Sequence, residues 1–208
     1  MPRATDHGYR VLARSELPPD TTELARYLIG KVVVRTTPEG VLSGRIVETE
    51  AYPVGDAAGH AFRGETARTH ALFLDRGHAY VYLAYGVSWM LNVSSEAAGV
   101  GAGVLIRALS PLEGIATMQR NRRIQNLRDL ARGPGRLAAA LDIDRRVDGI
   151  DLCRRGPLWI ARDAGDTPDD TPDVGTSTRI GLSQEAQRLL RFYVRGDRFV
   201  SGPKALNR

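Results

Sequence analysis

The stretch "GVLSGRIVETEAYPVGDAAGH", residues 40–60, decides the fold. Its β-branched and apolar run from Gly40 to Tyr52 reads as one or two strands. Side chains on a strand alternate faces with period 2. Glu48, Glu50 and Tyr52 therefore share one face, and Val47, Thr49 and Ala51 take the other. The two carboxylates stand roughly 7 Å apart at ~3.3 Å rise per residue. Two buried carboxylates that close push one pKa upward, so only one of the pair is expected to be deeply placed.

Upstream, "DTTELARYLIGKVVVRT" predicts a helix followed by a strand. Asp20 or Thr21 caps the helix, Glu23 sits in its first turn, Leu24, Tyr27 and Leu28 form the apolar stripe, and Gly30 ends it. Residues 1–15 read as a loosely attached arm, with residues 16–208 as the functional domain. Downstream, "GHAYVYLAYGVSWMLNVSS" predicts a hairpin turning near Tyr85–Gly86, where glycine permits positive φ. "GAGVLIRALSP" is a further strand, "PLEGIATMQRNRR" a helix with arginines on its outer side, and "RGPGRLAAALDI" a loop feeding a second helix. "RDAGDTPDDTPDVGT" is an acidic surface loop. "TRIGLS" and "LRFYVRG" read as closing strands. No internal repeat or linker divides the chain. The pattern is α+β: one mixed domain around a mostly antiparallel sheet with flanking helices.

Composition narrows the function. The 208 residues suit a single domain with a real core. No apolar run approaches the roughly 20 residues of a membrane helix, and the first ten residues lack a secretory signal, so a cytoplasmic protein without a membrane partner is expected. Cys153 stands alone, which excludes an intrachain disulfide or a cysteine-ligated metal. His7, His60, His70 and His78 show no helical metal-ligand spacing, so neither metal nor cofactor is expected. A net charge of +5 and a pI near 9.7 suit a nucleic-acid partner. The arginines crowd one segment, from Arg120 to Arg146, while Asp163, Asp166, Asp169, Asp170 and Asp173 crowd another.

Glu50, a carboxylate at neutral pH, can take a proton from water. Tyr80 and Tyr82 share a strand face, Tyr85 sits at the turn, and Tyr52 and His60 flank the loop after the glutamates. Flat rings with polar tips beside a carboxylate suit a slot for a planar ligand. A tyrosine at a hairpin tip can wedge into a base stack. Arg107 interrupts an apolar strand and must be paired, to Glu48 or Glu113, or reach a polar site. Asn92 is likewise a polar residue on a strand. "RGPGRLAAAL" places glycines and Arg136 at a helix start but lacks the lysine and Ser/Thr of a phosphate loop.

Taken in order, "LARYLIGKVVVR", "GRIVETEAY", "GHAFRGETAR", "AYVYLAYGVSWMLNVSS", "VLIRALSPLEG", "GPGRLAAAL", "RIGL" and "RFYVRG" resemble the 3-methyladenine (alkyladenine) DNA glycosylases of the methylpurine glycosylase type, from Leu24 to Ser201. The resemblance implies a curved antiparallel sheet with a hairpin that inserts into DNA. It implies a monomer acting on double-stranded DNA with damaged purines (3-methyladenine, 7-methylguanine, hypoxanthine or ethenoadenine), nucleoid-associated in a bacterium. Glu50 would activate the attacking water, and Arg107 with the backbone carbonyl of Ile180 would help position it. Tyr52, His60 and Tyr82 would stack on the flipped base, with the backbone N–H of His60 reading its edge. Tyr85 would fill the gap in the duplex, and Asn92 would exclude guanine by a clash with its exocyclic amine. Thr66, Arg68 and Arg136 would contact the DNA backbone.

Two other readings compete. An inverting O-glycosidase would fit the Glu48–Glu50 spacing, inside its ~6.5–9.5 Å window, but two residues on one strand face flank a sugar poorly. A module that binds modified bases without chemistry would need the slot but not Glu50. Only Lys31 and Lys204 are lysine, and neither lies near the motif, so hydrolysis without a lysine Schiff base, and hence without strand cleavage, is expected.

Overall fold

The long strand read from residues 40–60 is the backbone of the sheet. A computed structural model describes residues 8–165 and 172–207. In chain order the strands are β1 (Tyr9–Val11), β2 (Val32–Thr37), β3 (Gly40–Tyr52), β4 (Ala79–Ala84), β5 (Ser88–Ser94), β6 (Gly103–Glu113), β7 (Leu158–Asp163), β8 (Val174–Ser177) and β9 (Arg191–Val194). The helices are α1 (Thr21–Leu28), α2 (Ile115–Arg122) and α3 (Pro134–Ala140). The strands form one open sheet in the order β1-β7-β2-β3-β6-β5-β4, with β9 pairing both β3 and β8. The pairs are antiparallel, as the α+β reading expects. Among the described residues no helix is long and apolar enough to cross a membrane.

β3 is a single strand, and its two halves do different work. Its first half pairs β2, and its second half pairs β9 on the same edge, while β6 runs along the other. The register slips twice around Glu48: Ile46 faces Leu109, Glu48 faces Ala108, and Thr49 faces Ile106. The first slip is a β-bulge, in which two neighbouring residues oppose one partner. It corrects the strict period-2 reading. Val47 does not join Ala51 in the main core but packs with Ala108, Tyr193, Phe199 and Val200. From Glu48 onward the alternation holds: the Thr49 hydroxyl donates to the Ala25 carbonyl of α1 at 2.9 Å, and Glu48 and Glu50 look the other way. The second slip leaves Arg107 between paired residues of β6, free to aim its side chain at both carboxylates.

α1 forms as its sequence dictates. Asp20 accepts the Thr22 and Glu23 N–H groups, Leu24, Ala25 and Leu28 are buried against the sheet, and Gly30, at φ +84°, turns the chain into β2. α3 packs behind the hairpin of β4 and β5. Gly135 allows that approach, since a Cβ there would lie 2.8 Å from the Ser88 Cβ.

Two expected segments differ. Residues 1–7 of the N-terminal arm lie outside the described residues, but Tyr9–Val11 pair with β7 and Leu12 is fully buried. "TRIGLS" is not a strand; the closing strand is β8, just before it. The ladder ends at Ser177, the Ile180 N–H that follows donates to Glu50, and Gly181, at φ +77°, turns the chain beyond it. Of the acidic segment, residues 166–171 lie outside the described residues, and its two ends belong to β7 and β8 rather than to a loop.

Candidate active site

The carboxylates meet at the bulge. Glu48 and Glu50 are both 0% exposed, which overturns the expectation that only one is deeply placed. Two guanidiniums make that burial tolerable, because a buried charge needs a partner and hydrogen bonds. Arg107 spans the pair, its Nε donating to Glu48 Oε1 at 2.8 Å and its Nη1 lying 3.1 Å from Glu50 Oε1. Arg191, also fully buried, donates from Nε to Glu48 Oε1 at 2.7 Å. Its other nitrogens donate to Ser177, Ser201, Leu206 and Asn207. The Ser201 N–H completes Glu48 at Oε2, 2.7 Å away. The pairing of Arg107 with Glu48 resolves the choice the sequence left open; Glu113 is not its partner there.

Glu50 is held differently. Its Oε1 accepts the Ile180 N–H at 2.8 Å, and its Oε2 accepts the Tyr52 hydroxyl at 2.9 Å. Burial pushes the Glu50 carboxyl above its ordinary pKa, and Glu48 adds to that, although Arg107, Ile180 and Tyr52 oppose it. Burial pushes Glu48 upward too, but Arg107, Arg191 and the Ser201 hydrogen bond outweigh it and hold the group below the ordinary value. Of the two, Glu50 has the stronger affinity for a proton, as a general base requires.

The Tyr52 ring that bonds Glu50 also lines an aromatic slot around a cavity of 220 Å³. Tyr52, His60, Tyr80, Tyr82 and Asn92 line it. The Tyr80 and Tyr82 rings stack with centroids 5.3 Å apart, and His60 meets Tyr82 edge-on at 4.3 Å. His60 Nδ1 lies 2.8 Å from the Tyr80 hydroxyl. Burial and the nearby Arg68 lower the His60 pKa, so the imidazole is neutral at neutral pH. Asn92, nearly buried, donates from Nδ2 to the Tyr80 carbonyl at 3.2 Å.

Tyr85 crowns the hairpin at φ +51° and is 96% exposed, with Val87 beside it 80% exposed. Next to the slot, with which it shares His60, a 400 Å³ groove is lined by Arg63, Thr66 and Arg68. Along β5 of the hairpin a 510 Å³ groove is lined by Trp89, Arg122 and Arg136. Arg136 also pairs with Asp129 at 3.1 Å. Among the described residues no cluster of His, Cys, Asp and Glu could hold a metal ion.

A buried carboxylate of raised proton affinity joined through Tyr52 to a slot for a planar ring, with an exposed aromatic tip and basic grooves nearby, suits an enzyme acting on an extruded base. Residues 15–198 match the sequence pattern of the family described as methylpurine-DNA glycosylase (MPG). The chain is 69% identical to a protein of Mesorhizobium japonicum, over 98% of this chain and 95% of the relative. It is 53% identical to one of Paraburkholderia phytofirmans (94% and 90%) and 42% identical to one of Methanoculleus marisnigri (88% and 94%). Each of the three is named "Putative 3-methyladenine DNA glycosylase". The chain belongs to the methylpurine-DNA glycosylase family. It is a DNA glycosylase, a DNA repair hydrolase of N-glycosyl bonds.

The structure brings together all the residues the sequence nominated for the slot: Glu50, Arg107, Tyr52, His60, Tyr82, Asn92 and the Ile180 peptide. It places Tyr85, Thr66, Arg68 and Arg136 at the rim. Sequence reasoning missed Arg191, Arg179 and Asp56, which hold the site from beneath. An arginine inside the apolar run "LLRFYV" was the available signal for Arg191, by the logic applied to Arg107.

Proposed function

We propose that this glycosylase releases alkylated purines, 3-methyladenine and 7-methylguanine among them, by flipping the base into the aromatic slot and hydrolysing its N-glycosyl bond with a water activated by Glu50. The observation that carries the reading is Glu50, buried with its carboxyl affinity for a proton raised and hydrogen-bonded to Tyr52, which lines the slot.

Extrusion of a base costs a few kcal/mol, least for a damaged one. Tyr85 enters the stack to hold the gap, and the two basic grooves carry the strands on either side. The purine lies against Tyr52 on one side and His60 and Tyr82 on the other, and a cationic alkylated base gains a cation–π contribution there. Asn92 stands where a guanine amino group would collide, and the His60 N–H reads the base edge. As the glycosyl bond stretches, positive charge grows on the sugar, and the Glu50 carboxylate stabilises it while taking the proton of the attacking water. Arg107 anchors Glu50 and, with the Ile180 peptide, orients that water. Each Glu50 oxygen keeps acceptor capacity beside its present partner, so the water can be received with Tyr52 in place. A neutral lesion such as hypoxanthine or ethenoadenine lacks the built-in leaving tendency of an alkylated purine and depends more on hydrogen bonds to the base. Slot and carboxylate come from one copy, so a monomer suffices for the reaction.

Base release from duplexes carrying a methylated purine tests the reading. Glu50→Gln is expected to bind the lesion duplex as tightly as the parent while releasing base at least about 10²-fold more slowly, in line with a lost general base. Near-parental turnover in that variant would refute the role. Borohydride added to the parent reaction is expected to trap no covalent enzyme–DNA adduct.

A further inference from the structure

We infer that Arg179, paired with Asp56, is the positioning residue of the base slot: its guanidinium fixes the Tyr52 ring and, through the adjoining Ile180 peptide, the Glu50 carboxylate beneath it. The inference rests on the reading of the slot as the purine site.

Arg179 and Asp56 have fully buried side chains. Arg179 Nη1 lies 2.7 Å from Asp56 Oδ2, and Nη2 donates to Asp56 Oδ1 at 3.1 Å, a two-pronged pair. Nη1 also donates to the Ala51 carbonyl at 2.9 Å, at the end of β3. The guanidinium carbon sits 4.5 Å from the centroid of the Tyr52 ring, within stacking range. With one face covered by Arg179 and its hydroxyl fastened to Glu50, Tyr52 has its other face for the cavity it lines. Asp56 in turn accepts the Ala58 N–H at its side chain and the Gly59 N–H at its carbonyl, which sets the loop that delivers His60. One guanidinium therefore registers three pieces of the slot: the end of β3, the loop before His60 and the turn carrying Ile180.

An ion pair for stability alone does not account for the geometry. Arg179 Nε is buried and donates to no acceptor among the described residues, while the guanidinium carbon lies over the Tyr52 ring. Lysine can keep the charge beside Asp56 but has neither the planar fork nor the stacking face.

The test compares the parent with Arg179→Lys and with the double variant Arg179→Met/Asp56→Asn, which leaves no unpaired buried charge. Melting temperature, affinity for an undamaged duplex and single-turnover release of a methylated purine are measured. Arg179→Lys is expected to melt near the parent and to bind undamaged DNA equally well, because Arg179 cannot reach a phosphate. Its base release is expected to be at least about tenfold slower, the scale set by a small misplacement of reacting groups. A folded double variant shows the same loss. Parental release by Arg179→Lys, or by a folded double variant, overturns the inference and leaves the proposed function standing. Failure of the parent itself to release any methylated base overturns both.

Discussion

The layer around Glu48 and the slot over Glu50 share one face of β3 and one arginine, yet they are built in opposite ways. Around Glu48 every charge is matched: Arg107 and Arg191 converge on one carboxylate oxygen and the Ser201 N–H takes the other. Nothing there is open to a ligand. Glu50 shares Arg107 but otherwise meets one peptide and one tyrosine hydroxyl, and above it lies a cavity. The same strand makes a fixed ionic footing at one glutamate and a chemically unsettled carboxylate two residues on. The register slip between them lets Arg107 serve both.

The largest way to break this contrast is to remove the footing. Arg191→Met leaves Glu48 buried with half its countercharge and frees the last residues, since Arg191 also holds Ser201, Leu206 and Asn207. Losing one partner of a buried pair is expected to destabilise the chain by about 3–5 kcal/mol, read as a lowered urea midpoint. A loss under about 1 kcal/mol, the worth of an exposed pair, would show that the footing is not what holds this end of the sheet.

Acid separates the two glutamates more gently. Glu50 must be ionised to accept a proton, and its pKa is raised by burial. Base release should therefore fall as pH drops through a midpoint above the ordinary glutamate value of ~4.3, by about tenfold per unit below it. Glu48 has the opposite sign. Its pKa is held down by Arg107 and Arg191 against burial, so the stability it contributes is present above the unfolded value and is lost only as pH falls through its lowered folded value. Activity is thus expected to disappear at a higher pH than the folded signal in circular dichroism. Coincident losses would mean the two carboxylates titrate as one group.

How much of this was legible in the sequence follows the same division. The helix α1, the hairpin and its exposed Tyr85 were readable because caps, apolar stripes and a turn glycine are local signals. Glu50, Arg107 and Asn92 could be picked out because polar residues in apolar strands need a reason, and Tyr52, His60 and Tyr82 as a set of rings beside a carboxylate; their separate roles came from the family resemblance. The depth of Glu48 was not readable, because it depends on Arg191, which is 143 residues away. Val47 changed neighbours because a bulge arises from pairing between strands, not from alternation along one. "TRIGLS" alternates like a strand, but it serves the site by leaving the ladder. Arg179 in that segment could be read as one more surface arginine in an arginine-rich chain until Asp56 and Tyr52 were placed around it.

The smallest expected effect on the folded chain belongs to Tyr85, the residue most remote from the ionic footing. At 96% exposure the side chain buries nothing, so Tyr85→Ala should leave stability within about 0.5 kcal/mol of the parent. Its positive φ argues the same way, because the strained backbone at +51° is inherited by any L-residue placed there. What the variant loses is the ring available to replace the departed base, and base–aromatic stacking is worth roughly 1–3 kcal/mol. Release of a methylated purine from duplex DNA should therefore fall by about tenfold. The same lesion in a single strand, where there is no stack to hold open, should be released at the parental rate. An equal loss on both substrates would mean that Tyr85 acts within the slot rather than at the duplex, and the division between tip and slot would have to be redrawn.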